Sequence, residues 1–230
     1  MSLGYVRPAR PGDAEEVARV QLATWQMAYP RFIPRFAIDQ VDPEWLMRRW
    51  RAAITEPPSA RHHVLVAVEQ AGGPRETTRD EPASGGSQES HLVGFAAIGP
   101  ADETALTPDE VAPAADETAA AGEPAGADEP AGASPDLPDL AAITDLLVEP
   151  RWGRRGHGSR LLAAAVEVWR SDGFTRAVAW AFEKDAATIK FLTSTGWERD
   201  GAARALDIDG ILAPQARLHV SLTDPDPESA

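Results

Sequence analysis

The chain has 230 residues with 22 Lys+Arg against 36 Asp+Glu, a formal net charge of −14 at pH 7, and at that balance long-range repulsion opposes any encounter with nucleic-acid phosphates. Cysteine is absent, which excludes a disulfide framework, a thiolate zinc site and a Cys nucleophile. No apolar run approaches bilayer length and the first residues form no signal-peptide stretch, so the expectation is a cytoplasmic protein with neither nucleic acid nor membrane as partner. The acidity is uneven. Residues 100–138 hold ten acids and no Lys or Arg, residues 223–230 hold three acids, and residues 70–90 are net −2, which leaves the other 162 residues at +1. Residues 70–90 contain no Val, Ile, Leu or Phe, and 100–138 carry seven prolines and repeat Glu-Pro-Ala-Gly-Ala. Such compositions cannot offset their own ordering entropy. The expected organisation is one domain over 1–222, interrupted by flexible insertions at 70–90 and 100–138 and followed by a disordered acidic tail at 223–230.

Outside those segments the pattern alternates between the two regular periods. A strand is predicted over 5–10, then a helix over 13–28 with Asp13 as N-cap, Glu16 completing a capping box and Pro30 as the stop. Asp42-Pro43 opens a second helix with Leu46, Trp50 and Ile54 on one stripe. Apolar runs at 63–69 and 91–98 flank the first insertion and fit a hairpin. Residues 140–148 read as a strand, 158–171 as a helix with Leu161, Ala165 and Trp169 aligned, and 176–182 as a strand. Asp185 caps a short helix ending at Gly196, and strands follow over 203–208 and 216–222. The order β-α-α-β-β-β-α-β-α-β-β gives an α/β fold around a mixed sheet, unlike a run of βαβ repeats.

The chemistry concentrates in DLLVEPRWGRRGHGSRLL, residues 145–162. An apolar strand runs into a basic, glycine-bearing turn that opens directly into an amphipathic helix. The first turn of a helix has unsatisfied N–H groups and partial positive charge, so this junction suits an anion, and the glycines let a pyrophosphate approach the backbone. The stretch has no Lys for a Walker loop, and its glycine order, Gly153-x-x-Gly156-x-Gly158, reverses the dinucleotide fingerprint. An ordinary solvated β-to-α turn is the plainer alternative.

Val148-x-Pro150 followed by Arg155-Gly156-x-Gly158-Ser159-x-Leu161-Leu162 resembles the acyl-CoA-binding signature of the GNAT superfamily of N-acyltransferases, and x-Phe-x-x-x-x-Gly-Trp ending at Trp197 is similar to its later helix. The spacing of Trp25, Tyr29 and Pro34 is also shared. The resemblance implies the GNAT fold, a mostly antiparallel central sheet flanked by helices. It implies acetyl-CoA as co-substrate, no metal, and transfer of the acetyl group to a primary amine of a small molecule or protein. Backbone groups of Leu146 and Val148 would hold the pantetheine arm as an added strand. The amides of Arg154, Arg155, Gly156, His157, Gly158 and Ser159 would hold the pyrophosphate, and Asp185 stands where many members contact the same arm through Asn. Three positions depart from the family: Gly153 replaces a Gln or Arg, Leu192 the Tyr that protonates the leaving thiolate, and Ala142 a Glu used as base.

Amine acylation needs a neutral amine and a polarised thioester. Asp145 is the nearest carboxylate on the central strand and Tyr29 can reach in from the acceptor side, so these two are the catalytic candidates. The plainer readings are a partly exposed acid paired with an arginine and a core aromatic. His62 and His63 point to opposite faces of a strand and cannot share a metal. His157 could touch a phosphate. Trp25, Trp45 and Trp50 are core residues or line an acceptor cleft. The expected partners are an acyl-CoA and an unidentified amine, with a homodimer left open. Two other functions stay open: a non-catalytic acyl-CoA-binding module, and an interaction protein that uses the acidic insertion.

Overall fold

The computed structural model describes residues 3–70, 90–102, 105 and 139–223. The expected insertions and the acidic tail fall almost wholly outside the described residues. β1 (Leu3–Pro8) leads through a 3₁₀ turn at Pro11–Asp13 into α1 (Ala14–Ala28), α2 (Arg35–Asp39) and α3 (Pro43–Thr55). β2 (His63–Gln70), β3 (Ser90–Pro100) and β4 (Leu140–Val148) precede α4 (His157–Ser171). β5 (Arg176–Phe182), α5 (Ala186–Thr193), β6 (Glu198–Ile208) and β7 (Ile211–Ser221) complete the order. The mixed α/β fold is the expected one with α2 added. That helix has five residues, of which only Ile38 is buried, too short a span for a 3.6-residue period to show.

The seven strands form one sheet in the order β1-β2-β3-β4-β5-β7-β6, antiparallel throughout except between β4 and β5. Helices cover both faces. Leu161, Ala165 and Trp169 of α4 pack on one, against Val93, Ala141 and Trp197. Val17 and Val20 of α1 and Leu46 and Trp50 of α3 pack on the other, against Val66, Phe95 and Leu147. A strand buried on both sides has no polar face to display, which is why the runs at 64–68 and 92–98 are continuously apolar rather than alternating.

The start of α1 departs from the sequence reading. Asp13 makes no cap bond to the helix. Its carboxylate takes both nitrogens of Arg7, at 2.6 and 2.9 Å, and the amide of Arg10 at 2.6 Å, while Glu16 pairs with Arg19 one turn on. The bidentate partner on β1 wins because a charge-assisted fork outweighs a single amide bond, and the Arg7 guanidinium holds the Asp13 carboxyl below its ordinary range. Asp13→Ala is expected to cost about 1–2 kcal/mol of unfolding free energy, measured by urea denaturation. The cap at Asp42, which accepts the Glu44 amide at 2.9 Å, forms as expected.

Two irregularities of β4 position the site. Its parallel pairing with β5 covers Leu140 to Ile143 against Arg176 to Ala179 and stops there, so from Thr144 onward β4 has a strand partner only in β3 among the described residues. At the same point the β3 register slips, with Ala97 opposite Asp145 but Ile98 opposite Ile143. Thr144 is the extra residue of a bulge and its hydroxyl donates to the Ala97 carbonyl at 3.2 Å. One inserted residue exchanges the faces of everything beyond it. Ala141 and Ile143 face α4, and beyond the bulge Leu146 and Val148 do so, which turns Asp145 and Leu147 toward α1.

Candidate active site

The loop between β4 and α4 has the backbone geometry expected of an anion cradle. Arg154 and Gly156 take left-handed backbone angles, φ 61° and 78°, a conformation a non-glycine residue adopts only where its surroundings impose it. The amides of His157, Gly158 and Ser159 form the first turn of α4, ahead of the first bond from the Arg160 amide to the Gly156 carbonyl at 3.0 Å, so the helix supplies them with no acceptor. A Cβ at Gly158 would meet nothing closer than Phe191, at 3.5 Å. Among the described residues packing does not require glycine there.

Two buried carboxylates hold this loop from below. Glu69, at the end of β2 and 3 % exposed, lies 3.3 Å from the Arg155 guanidinium and 2.7 Å from His157 Nε2, the latter out of line for a good hydrogen bond. Glu149 pairs with Arg151 at 2.6 Å and with Arg19 of α1 at 3.2 Å. Arg155 also stacks over Trp152, 4.8 Å from its ring centre. The His157 ring, 2 % exposed, is thus turned inward beneath Gly4. Its side chain does not reach out to a phosphate and only its amide belongs to the cradle. Burial lowers the His157 pKa against the opposing pull of Glu69. Glu69→Ala removes the carboxylate beneath a buried imidazole and a guanidinium and is expected to cost about 2–4 kcal/mol. Chemical denaturation measures it.

The other end of the site is a cleft of about 380 Å³ on the α1/α3 face, floored by Ala142, Thr144 and Asp145 of β4 and by Trp180 of β5, with Arg49 and Trp50 of α3 on its wall. Among the described residues Asp145 has no arginine within ion-pair distance, unlike the plainer reading. The Gln21 amide of α1 points at it from 3.5 Å, and Gln21 in turn accepts the Trp50 indole N–H at 2.6 Å. That indole bond fixes which end of the Gln21 amide faces Asp145. Burial pushes the Asp145 pKa up to about 6, opposed by the positive charge of Arg49 and by the neighbouring Thr144 hydroxyl. Tyr29 closes α1 with its ring edge-on to Phe182 at 5.7 Å and to Phe32 at 5.9 Å. Burial raises its pKa, and the fields of Asp145 and Asp185 add to this, so its hydroxyl stays protonated.

The residues singled out in the sequence fall at separate places around β4. Leu146 and Val148 lie on β4 beyond its pairing with β5, between Asp145 and the loop, whereas Tyr29 packs on Phe32 and Phe182 and is not among the residues lining the cleft. Asp185 caps α5 through the Thr188 amide at 3.1 Å and hydroxyl at 2.6 Å, which engages both its oxygens. Ala142 lines the cleft on the same face as Asp145, and Leu192 is buried in the core. Trp50 joins core and cleft, while Trp45 is exposed beneath Arg49. His62 bonds to Ser59 and His63 to Asp172. Glu69, Glu149, Gln21 and Arg49 escaped the sequence reading. For Glu69 a signal exists, as the lone acid in the apolar run 64–69.

A model of the acetyltransferase (GNAT) family matches residues 43–197. No curated protein matches the chain. Among solved structures it is similar to yncA from Salmonella typhimurium, determined with its cofactor acetyl-CoA, at 15% identity and TM-score 0.58 over 98% of this chain and 99% of that one. The PaiA N-acetyltransferase from Thermoplasma acidophilum, in complex with coenzyme A, shares 12% identity at TM-score 0.55, covering 95% and 99%. The ribosomal-protein-S18-alanine N-acetyltransferase from Escherichia coli shares 10% at TM-score 0.52, covering 99% of each chain. At these identities the likeness is one of fold.

Proposed function

The chain belongs to the acetyltransferase (GNAT) family, whose model spans residues 43–197, and from that premise we propose that it transfers an acetyl group from acetyl-CoA to a primary amine. The observation that carries this reading is the bulge at Thr144. It turns Asp145 to the side of the sheet that lines the cleft, beside the end of the β4–β5 pairing, and this supports the reading. The pyrophosphate lies on the amides of Gly156 to Ser159, with Arg154 adding charge. The pantetheine arm pairs with the open side of β4 at Leu146 and Val148, which directs the thioester toward Asp145.

Asp145 accepts the proton that the amine loses as its nitrogen forms the new N–C bond to the acetyl carbon. A backbone N–H near Val148 receives the developing oxyanion. As the C–S bond breaks, Tyr29, held protonated by burial and two carboxylates, donates a hydrogen bond to the departing sulfur. The proton count closes with the amine proton passing through Asp145 and coenzyme A leaving as the thiol. Leu192, buried where the family's usual Tyr would stand, supplies no acid, and this favours a second reading, a non-catalytic acyl-CoA-binding module. A ligand that binds only the native state raises stability by mass action, by about 2.7 kcal/mol at a hundred times its Kd. Acetyl-CoA is expected to raise the Tm where equimolar ATP does not, and an equal shift with ATP overturns the reading. Thiol release with a panel of amines separates enzyme from binding module.

A further inference from the structure

The cleft that holds Asp145 also carries a cation positioned to read a second part of the acceptor. Arg49 projects from α3 beside Trp50 and lines the same cleft as Asp145. It is near enough for its charge to act on Asp145, yet no ion pair closes between them. Among the described residues Arg49 makes no ion pair at all, and its contact is the face of exposed Trp45, 5.6 Å from the ring centre. Across the floor Arg204 lies over Trp180 at 4.4 Å and donates to Gln215 at 2.7 Å. The remaining charged carboxylate of the cleft, Asp102, accepts the Ala105 amide at the far rim. Arg49 is exposed and hydrated in the free protein, so a guanidinium and a carboxylate that line one cavity without touching are each open to a partner that enters between them.

We propose that the acceptor is an amine that also bears a carboxylate, an amino acid or a close analogue, with its amino group on Asp145 and its carboxylate on Arg49. The inference rests on the acetyltransferase reading and deepens it. A neutral or purely cationic amine leaves Arg49 unmatched and adds positive charge beside it. An amino acid neutralises both ends and is held in one orientation, amine toward the gap between β4 and β5.

The test uses the full chain with acetyl-CoA and matched pairs, each an amino acid against its carboxamide and its decarboxylated amine. The expected result is a kcat/KM ten- to hundredfold higher for the acid, the size of one charge-assisted contact, carried mainly by KM. In Arg49→Ala the acid-to-amide ratio falls toward one, and in Arg49→Lys it recovers in part. A second arm follows thermal shifts of the protein with coenzyme A and each member of a pair, and needs no turnover. A preference for the acid in that arm without thiol release in the first retains the inference and removes the acetyltransferase reading. Carboxamides or simple amines favoured in either arm, or an unchanged ratio in Arg49→Ala, overturn it.

Discussion

Replacing Asp145 with Asn is expected to lower kcat by two to four orders of magnitude and to remove the acidic limb of the pH–rate profile. A general base works only when ionised, and burial puts this carboxyl at about 6. Wild-type kcat/KM should therefore climb with pH through an apparent pKa near 6, then continue to rise as the amine acceptor itself loses its proton. The same substitution should make the protein more stable at neutral pH. The folded pKa, about 6, stands above the ordinary 3.8, so between those values the native state binds more protons than the unfolded one. Stability accordingly falls as pH rises across that window and stays reduced above it, by on the order of 3 kcal/mol. Asn carries no charge to desolvate. The Asn variant should melt higher than wild type at pH 8 and converge with it below pH 4, a loss of rate joined to a gain of stability. A variant that keeps kcat within threefold and retains the limb near 6 excludes Asp145 as the base.

That prediction depends on geometry only partly written in the local sequence. The signature at 145–162 is local, since a strand, three glycines, four arginines and a helix start lie within 18 residues and each has its own conformational requirement. It was legible for that reason, and so were the helix cap at Asp42 and the hairpin pairing of β2 with β3. The bulge at Thr144 is different. It is a mismatch between two strands, and strict alternation along 140–148 would turn Asp145 away from Ala142. Only the register against Ala97 and Ile98 puts both in one cleft. The partners of the site come from far along the chain for the same reason. Gln21 and Arg49 are ordinary polar positions of amphipathic helices until the sheet brings β4 beneath them. The basic mouth is also less positive than its arginines suggest. Glu69 neutralises Arg155 from the distant end of β2 and Glu149 neutralises Arg151 from two residues away, so most of the site's attraction for phosphate rests on helix amides and Arg154.

If those amides are the site, Gly158→Asp should abolish acetyl-CoA binding while leaving the free protein at least as stable as wild type. A residue at this position sits in the first turn of α4, and its Cβ would stand 3.5 Å from Phe191, ordinary contact. Leaving glycine in a helix recovers up to about 1 kcal/mol, and an acid in the first turn gains a further ~0.3–1 kcal/mol from the helix dipole. Among the described residues nothing opposes the change. The ligand does, because the new carboxylate occupies the space and the field meant for a pyrophosphate. Two like charges about 4 Å apart near a protein surface repel by up to about 4 kcal/mol, and displacement of the phosphate adds to this, so the Kd for acetyl-CoA should rise at least a hundredfold. Gly158→Ala separates bulk from charge, with a smaller loss of affinity at unchanged or raised Tm. Calorimetric titration beside thermal melts reads both quantities. An Asp variant that binds acetyl-CoA within threefold of wild type would move the pyrophosphate away from the start of α4, whereas one that fails to fold would mean that the glycine serves the chain itself.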